Sequence, residues 1–215
     1  MSKFKSVVFD IDGTLTHDIS WVYLTKQVGG SIEYNDSVFD MWRKSIVPES
    51  EIKKRLIANW SVGGKTSSKE FFTILDAISL REDAKETVEY LKSKNYDICL
   101  LTGSFDLYAK IIAEKLGVSK WLSITKFIWD ENGKLIDIDT ALNDKQQKIE
   151  IFKNYCKENN FKYEECVAVG DSSNDIGLFE LTKNGIAVRT PAEALELEKV
   201  AWKKIENLRD LKNIL

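Results

Sequence analysis

Two aspartates flank a single residue in Asp10-Ile11-Asp12-Gly13-Thr14-Leu15-Thr16, directly after the apolar run that ends at Phe9. At strand spacing residues i and i+2 face the same way, so both carboxylates project together until the chain turns at Gly13. Such a pair suits binding a hard cation through oxygen, and dividing covalent and proton-transfer roles between near neighbours. Alone, the triplet equally describes an ordinary turn at a strand end. Three other segments add to it. Leu100-Leu101-Thr102-Gly103-Ser104 offers hydroxyls and backbone donors before a helix, where phosphate oxygens can be held or where Ser104 merely caps the helix. Gly170-Asp171-Ser172-Ser173-Asn174-Asp175 follows Val167-Ala168-Val169 and adds two carboxylates and an amide, or else an Asx-turn into a helix. Gathering Asp10, Asp12 and Asp171 is unfavourable without a cation between them, because like charges repel. The last segment, Lys145-Gln146-Gln147-Lys148-Ile149-Glu150-Ile151-Phe152, carries a lysine that could neutralise phosphate charge. Lys148 is the better placed of its two, because Ile151, Phe152 and Tyr155 follow it at helical spacing and set it at a helix start near the sheet's edge.

These residues need strands to hold them. Four short apolar runs, 6–11, 98–102, 166–170 and 186–188, read as buried strands, with helical spacing between them in Val88, Leu91 and in Ile111, Ile112, Leu116. Strands alternating with helices predict an α/β, Rossmann-like doubly wound and mainly parallel sheet, whose ligand lies beyond the carboxyl ends of the strands. From about Thr16 to Leu80 the chain has helical periodicity, breaks at Gly29-Gly30, Pro48 and Gly63-Gly64, and no strand pattern. It reads as an inserted small helical cap, residues 16–80, on a core of 1–15 and 81–215. Trp21, Trp42 and Trp60 are assigned to the small core of that cap. Asn132-Gly133 between Phe127 and Ile138 predicts a β-hairpin, and the charged tail from Ala192 to Leu215 reads as a surface helix.

The chain has 215 residues, 43% hydrophobic and 30% charged, with a net charge of -3 and no basic stripe, so nothing points to nucleic acid. Cys99, Cys156 and Cys166 form no CxxC pair and have one histidine for company, which favours buried free thiols over zinc or disulfides. No apolar window is long enough for a membrane span, and a cytoplasmic location is expected. The partner expected is a small phosphorylated metabolite; a homodimer is compatible with the sequence.

With Asp10-Ile11-Asp12-Gly13-Thr14, Thr102, Lys148 and the 170–175 loop in this order, the sequence resembles the haloacid dehalogenase superfamily, whose motifs are DxDGT, a Ser or Thr, a Lys and GDxxxD. Thr102-Gly103-Ser104-Phe105 and the hairpin resemble the phosphoserine phosphatase-like branch. The resemblance implies a Mg²⁺-dependent phosphatase in which Asp10 forms an aspartyl phosphate and Asp12 protonates the leaving oxygen and then activates water. It implies a metal site of Asp10, Asp12 through its backbone carbonyl, Asp171 and Asp175, with Thr102, Gly103 and Lys148 on the phosphoryl oxygens. A phosphomutase or phosphotransferase would share these residues and the aspartyl phosphate, and a non-catalytic binding module that keeps the fold is the alternative of another class. The branch usually carries a Glu soon after the first motif and a cap Arg for the amino-acid substrate. Here the Glu position falls at Ile19, with His17 and Asp18 nearby, and Arg43 and Arg55 sit in a poorly matching context.

Overall fold

Alternate residues of the central strands go to opposite faces, and each face has its own core. Val7, Phe9, Ile98, Leu100, Val167 and Val169 belong to one buried cluster, while Val8, Cys99, Leu101, Cys166 and Ala168 belong to another. A sheet apolar on both faces must be covered on both, which is why these runs are continuously hydrophobic. The computed structural model describes residues 3–140, 144–189 and 194–215. It contains strands β1 (Ser6–Phe9), β2 (Asp97–Phe105), β3 (Lys120–Trp129), β4 (Leu135–Asp139), β5 (Cys166–Gly170), β6 (Gly185–Val188) and β7 (Lys203–Ile205). Their order in the sheet is β4-β3-β2-β1-β5-β6-β7, with only the β3–β4 pair antiparallel. This is the expected α/β, mainly parallel architecture. The chain runs outward from β1 through β2 to β3, then returns to β5 on the other side of β1. The crevice at such a reversal is where open α/β sheets take their ligands.

Helices α1 (Ser20–Gln27), α2 (Ile32–Arg43), α3 (Glu49–Trp60) and α4 (Ser68–Asp76) follow β1. Their starts are written locally: Ser31 accepts from the Tyr34 amide, and Ser67 with Glu70 forms a reciprocal capping box. The chain enters this helical stretch and leaves it side by side, since Thr16 and Leu80 pair as an isolated bridge and the Arg81 amide donates to the Leu15 carbonyl. The β3–β4 hairpin turns at Asp130–Gly133, where Gly133 has φ +75. Its turn leans on α4, with the Ser68 amide donating to the Gly133 carbonyl at 2.7 Å.

Helices α5 (Ala84–Ser93), α6 (Asp106–Leu116), α7 (Asp144–Glu158), α8 (Ile176–Thr182) and α9 (Leu195–Val200) complete the cover. Two expectations are corrected here. The tail does not form one surface helix: residues 195–200 are helical, but Lys203–Ile205 joins the sheet as its edge strand and Leu208–Asn213 is a 3-10 turn. Ala192 lies outside the described residues. Secondly, β3 begins at Lys120, seven residues before the hairpin predicted at Phe127. All three cysteines are buried and free, as expected.

Candidate active site

Asp10 follows the last residue of β1, and its amide still donates to the Val169 carbonyl of β5 at 2.9 Å, so the backbone of the first motif is pinned to the neighbouring strand. Beyond it the amides of Thr14, Leu15 and Thr16 all converge on the Ile11 carbonyl, closing a tight turn. Gly13 is required in that turn on two counts: its φ is +76, and a Cβ there would stand 2.2 Å from an Asp171 carboxylate oxygen. Gly170 is required because a Cβ would collide with the Asp175 carboxylate. Glycines thus let the two acidic loops approach each other.

The approach brings one oxygen each of Asp10, Asp171 and Asp175 within 4.8 Å of one another, all three residues buried. Lys148, fully buried, lies among them: its ammonium donates to Asp10 Oδ1 and Asp175 Oδ1, each at 2.7 Å, and to Asn174 Oδ1 at 3.2 Å. Lys145 is exposed. Lys148 occupies the second turn of α7, and its side chain reaches the end of the central strand, which corrects its expected place near the sheet's edge. Burial alone would lower its pKa, but Asp10 and Asp175 outweigh burial and hold it above the usual lysine value, fully charged.

Burial pushes Asp10 well above the usual carboxylate range, with Lys148 opposing, and burial with the neighbouring Asp175 raises Asp171 to about 7 against the hydrogen bond from Thr14 Oγ1 at 3.0 Å. Three carboxylates against one ammonium leave a formal charge of -2 when all are ionised. An all-oxygen donor set with that deficit fits a hard divalent cation. The Asp12 carboxylate turns away from this group. It sits at the start of α1, where the Ser20 amide donates at 3.0 Å and the Ser20 hydroxyl at 2.7 Å, a placement also favoured by the helix dipole. Burial raises it to about 6, with Ser20 opposing.

A cavity of about 210 Å³ opens over Asp10. Thr102, Gly103, Ser104 and Asp171 line it, together with Ile19 and Trp21. The Thr102 hydroxyl accepts from the Ser104 amide at 3.1 Å, at the register shift between Thr102 and Phe105 within β2. The structure therefore brings Asp10, Asp12, Thr102, Gly103, Lys148, Asp171 and Asp175 to one place. Sequence reasoning missed Thr14, Ser20 and Trp21. Thr14 stood inside the first motif, while Ser20 carried no signal of its own. Trp21 is a correction: only half-buried, it is a wall of the cavity rather than purely a core residue. His17 is not among the residues lining the cavity, and its Nε2 lies 3.5 Å from exposed Glu82.

A family model described as haloacid dehalogenase-like hydrolase matches residues 4–180. The phosphoserine phosphatase of Methanocaldococcus jannaschii is 28% identical over 214 residues, covering 99% of this chain and 97% of that protein. The phosphoserine phosphatase of Campylobacter jejuni is 25% identical, covering 98% of each chain. A solved structure described as a phospho-aspartyl intermediate analogue of phosphoserine phosphatase superposes with a TM-score of 0.78 at 26% identity, over 100% of both chains.

Proposed function

The chain belongs to the haloacid dehalogenase-like hydrolases, and we propose that it is a phosphatase of a small phosphomonoester, with Asp10 as nucleophile and Mg²⁺ as cofactor. Relatives named phosphoserine phosphatase along essentially the whole chain support phosphoric monoester hydrolysis. The observation that carries the mechanism is the pairing of Asp10 with buried Lys148 inside a cluster of carboxylates, while Asp12, two residues on, is held apart by Ser20.

In the first half-reaction an Asp10 carboxylate oxygen attacks phosphorus, the ester bond breaks, and protonated Asp12 gives its proton to the departing alkoxide. In the second, Asp12 removes a proton from water, the water oxygen bonds to phosphorus, and the Asp10–phosphorus bond breaks to return the carboxylate. A carboxyl raised to about 6 suits both roles, since neither form is strongly disfavoured near neutral pH. The Thr102 hydroxyl, the Gly103 amide and the Lys148 ammonium hold the phosphoryl oxygens, so most of the catalysis is positioning and charge neutralisation. Asp10, Asp171 and the Asp12 carbonyl would bind Mg²⁺, supported by Asp175, and the ion would offset the charge of the substrate dianion.

Residues 16–80 act in this reading as a cap over a core of 1–15 and 81–215. Support comes from the paired strands of chain at Thr16 and Leu80, the only covalent passage between the two parts. Purified protein with Mg²⁺ is expected to release inorganic phosphate from small phosphomonoesters, and Asp10→Asn to abolish release while circular dichroism stays unchanged. Turnover retained by Asp10→Asn would overturn the assignment of the nucleophile.

A further inference from the structure

The cavity over Asp10 is chemically lopsided. Its ionisable residues, Asp10, Asp12 and Asp171, are all acidic, and no basic side chain lines it. Its apolar lining is Ile19 and Trp21, which flank Ser20 and so lie beside the Asp12 carboxylate, the proton donor to the leaving group in the reading above; the remaining lining, Thr102, Gly103, Ser104, Ser172 and Asn174, is uncharged. The Ser20 amide and hydroxyl are both committed to Asp12. The two arginines of the helical stretch are engaged elsewhere. Arg43 bonds Asp40 at 2.6 Å, Arg55 bonds Glu51 at 2.9 Å, and among the described residues neither lines the cavity.

The apolar wall is built rather than incidental. The Trp21 ring is wedged against Phe105, Phe39 and Trp60, with centroids 4.3, 5.1 and 5.4 Å away, which fixes the face it turns to the cavity. Ile19 is 43% exposed at the mouth, a large apolar side chain left open to water beside that ring. A volume of about 210 Å³ is below the roughly 300–1,000 Å³ of pockets for drug-sized ligands, so the ester is compact. An amino-acid leaving group placed here would give up water for its carboxylate and gain no cation for it, since no basic side chain lines the cavity.

Building on the phosphatase reading above, we infer that the substrate is a compact phosphomonoester of an uncharged alcohol whose apolar face lies against Ile19 and Trp21, and that phosphoserine is a poor substrate. Trp21 could instead attract an ammonium group through its ring, and the test includes that outcome.

The experiment measures kcat/KM for phosphate release by the full chain with Mg²⁺ from benzyl phosphate and L-phosphoserine, whose alkoxide leaving groups are of comparable size, and from the smaller O-phosphoethanolamine. Benzyl phosphate is expected to lead both others by about tenfold or more. Equal or better turnover of L-phosphoserine overturns the inference, and a lead for O-phosphoethanolamine overturns it in favour of a cation held on Trp21. Release from none of the three, or from any other phosphomonoester, sinks the phosphatase reading itself, and the inference with it. Ile19→Glu, at an exposed position that leaves the fold intact, is expected to cut the benzyl preference over phosphoethanolamine about tenfold. A ratio unchanged in Ile19→Glu means that this wall does not meet the leaving group.

Discussion

At the floor of the cavity Asp10, Asp171 and Asp175 surround one lysine, and each side chain has a hydrogen-bonding partner contributed by another strand end or helix. On the wall, Trp21 touches aromatic rings and Ile19 stands open to water. The floor hangs on three parallel strands whose register is locked by backbone hydrogen bonds, so a small displacement of any one loop would break several charge-assisted contacts at once. The wall is one turn of helix and its approach loop, held by packing, and can change chemistry without disturbing the strands. The difference separates what is done to the phosphoryl group from what it is removed from.

The sharpest way to break this contrast, after Asp10→Asn, is at Lys148. Lys148→Ala leaves buried carboxylates facing one another, and is expected to lower stability by about 3–5 kcal/mol along with turnover. Lys145→Ala should leave both near wild type in thermal melts and phosphate-release assays, and the reverse order would place the phosphate-binding lysine on the wrong side of α7. Next comes pH. Asp171 at about 7 and Asp12 at about 6 bind protons in the folded chain that the unfolded chain, with an ordinary carboxylate value near 3.8, has already lost. The metal-free protein should therefore lose stability as pH rises from about 4 to about 7, and level off above that. Added Mg²⁺ should flatten the slope, because a bound cation favours the ionised carboxylates. Melting curves across pH with chelator or Mg²⁺ measure this; a stability that climbs over the same range would contradict it.

A smaller effect is expected at the hinge between floor and wall. Ser20→Ala removes one hydrogen bond to the Asp12 carboxylate but keeps the amide donor, and should lower kcat by about tenfold, equivalent to about 1.4 kcal/mol, with KM little changed. A change confined to KM would assign Ser20 to the wall. Smallest of all is His17→Ala, which deletes an exposed contact with Glu82 and should alter neither turnover nor melting temperature beyond error.

The strands that carry chemistry were legible because they are buried on both faces and therefore apolar without interruption, as in Val7-Val8-Phe9 and Val167-Ala168-Val169. The edge strand β7 and the start of β3 were not. In β7 Lys203 and Lys204 are exposed and only Ile205 is buried, a charged edge that discourages further pairing and hides its periodicity in three residues. The first four residues of β3, Lys120 to Ser123, are all half-buried and mix polar with apolar types, so no alternation appears.

By itself the sequence determined the α/β sheet and the order of its acidic loops, since burial on both faces and glycine at the close approaches leave a local imprint in residue type. It also placed Asp10, Asp12, Asp171 and Asp175 in the loops that follow two of the central strands. Only the tertiary structure decided that Lys148 lies buried between Asp10 and Asp175, that Ser20 draws the Asp12 carboxylate away from the others, and that Trp21 is a cavity wall. Each of these depends on two segments far apart in the chain meeting at a set distance. A tryptophan in an amphipathic helix has the same composition and spacing whether its ring faces a core or a substrate.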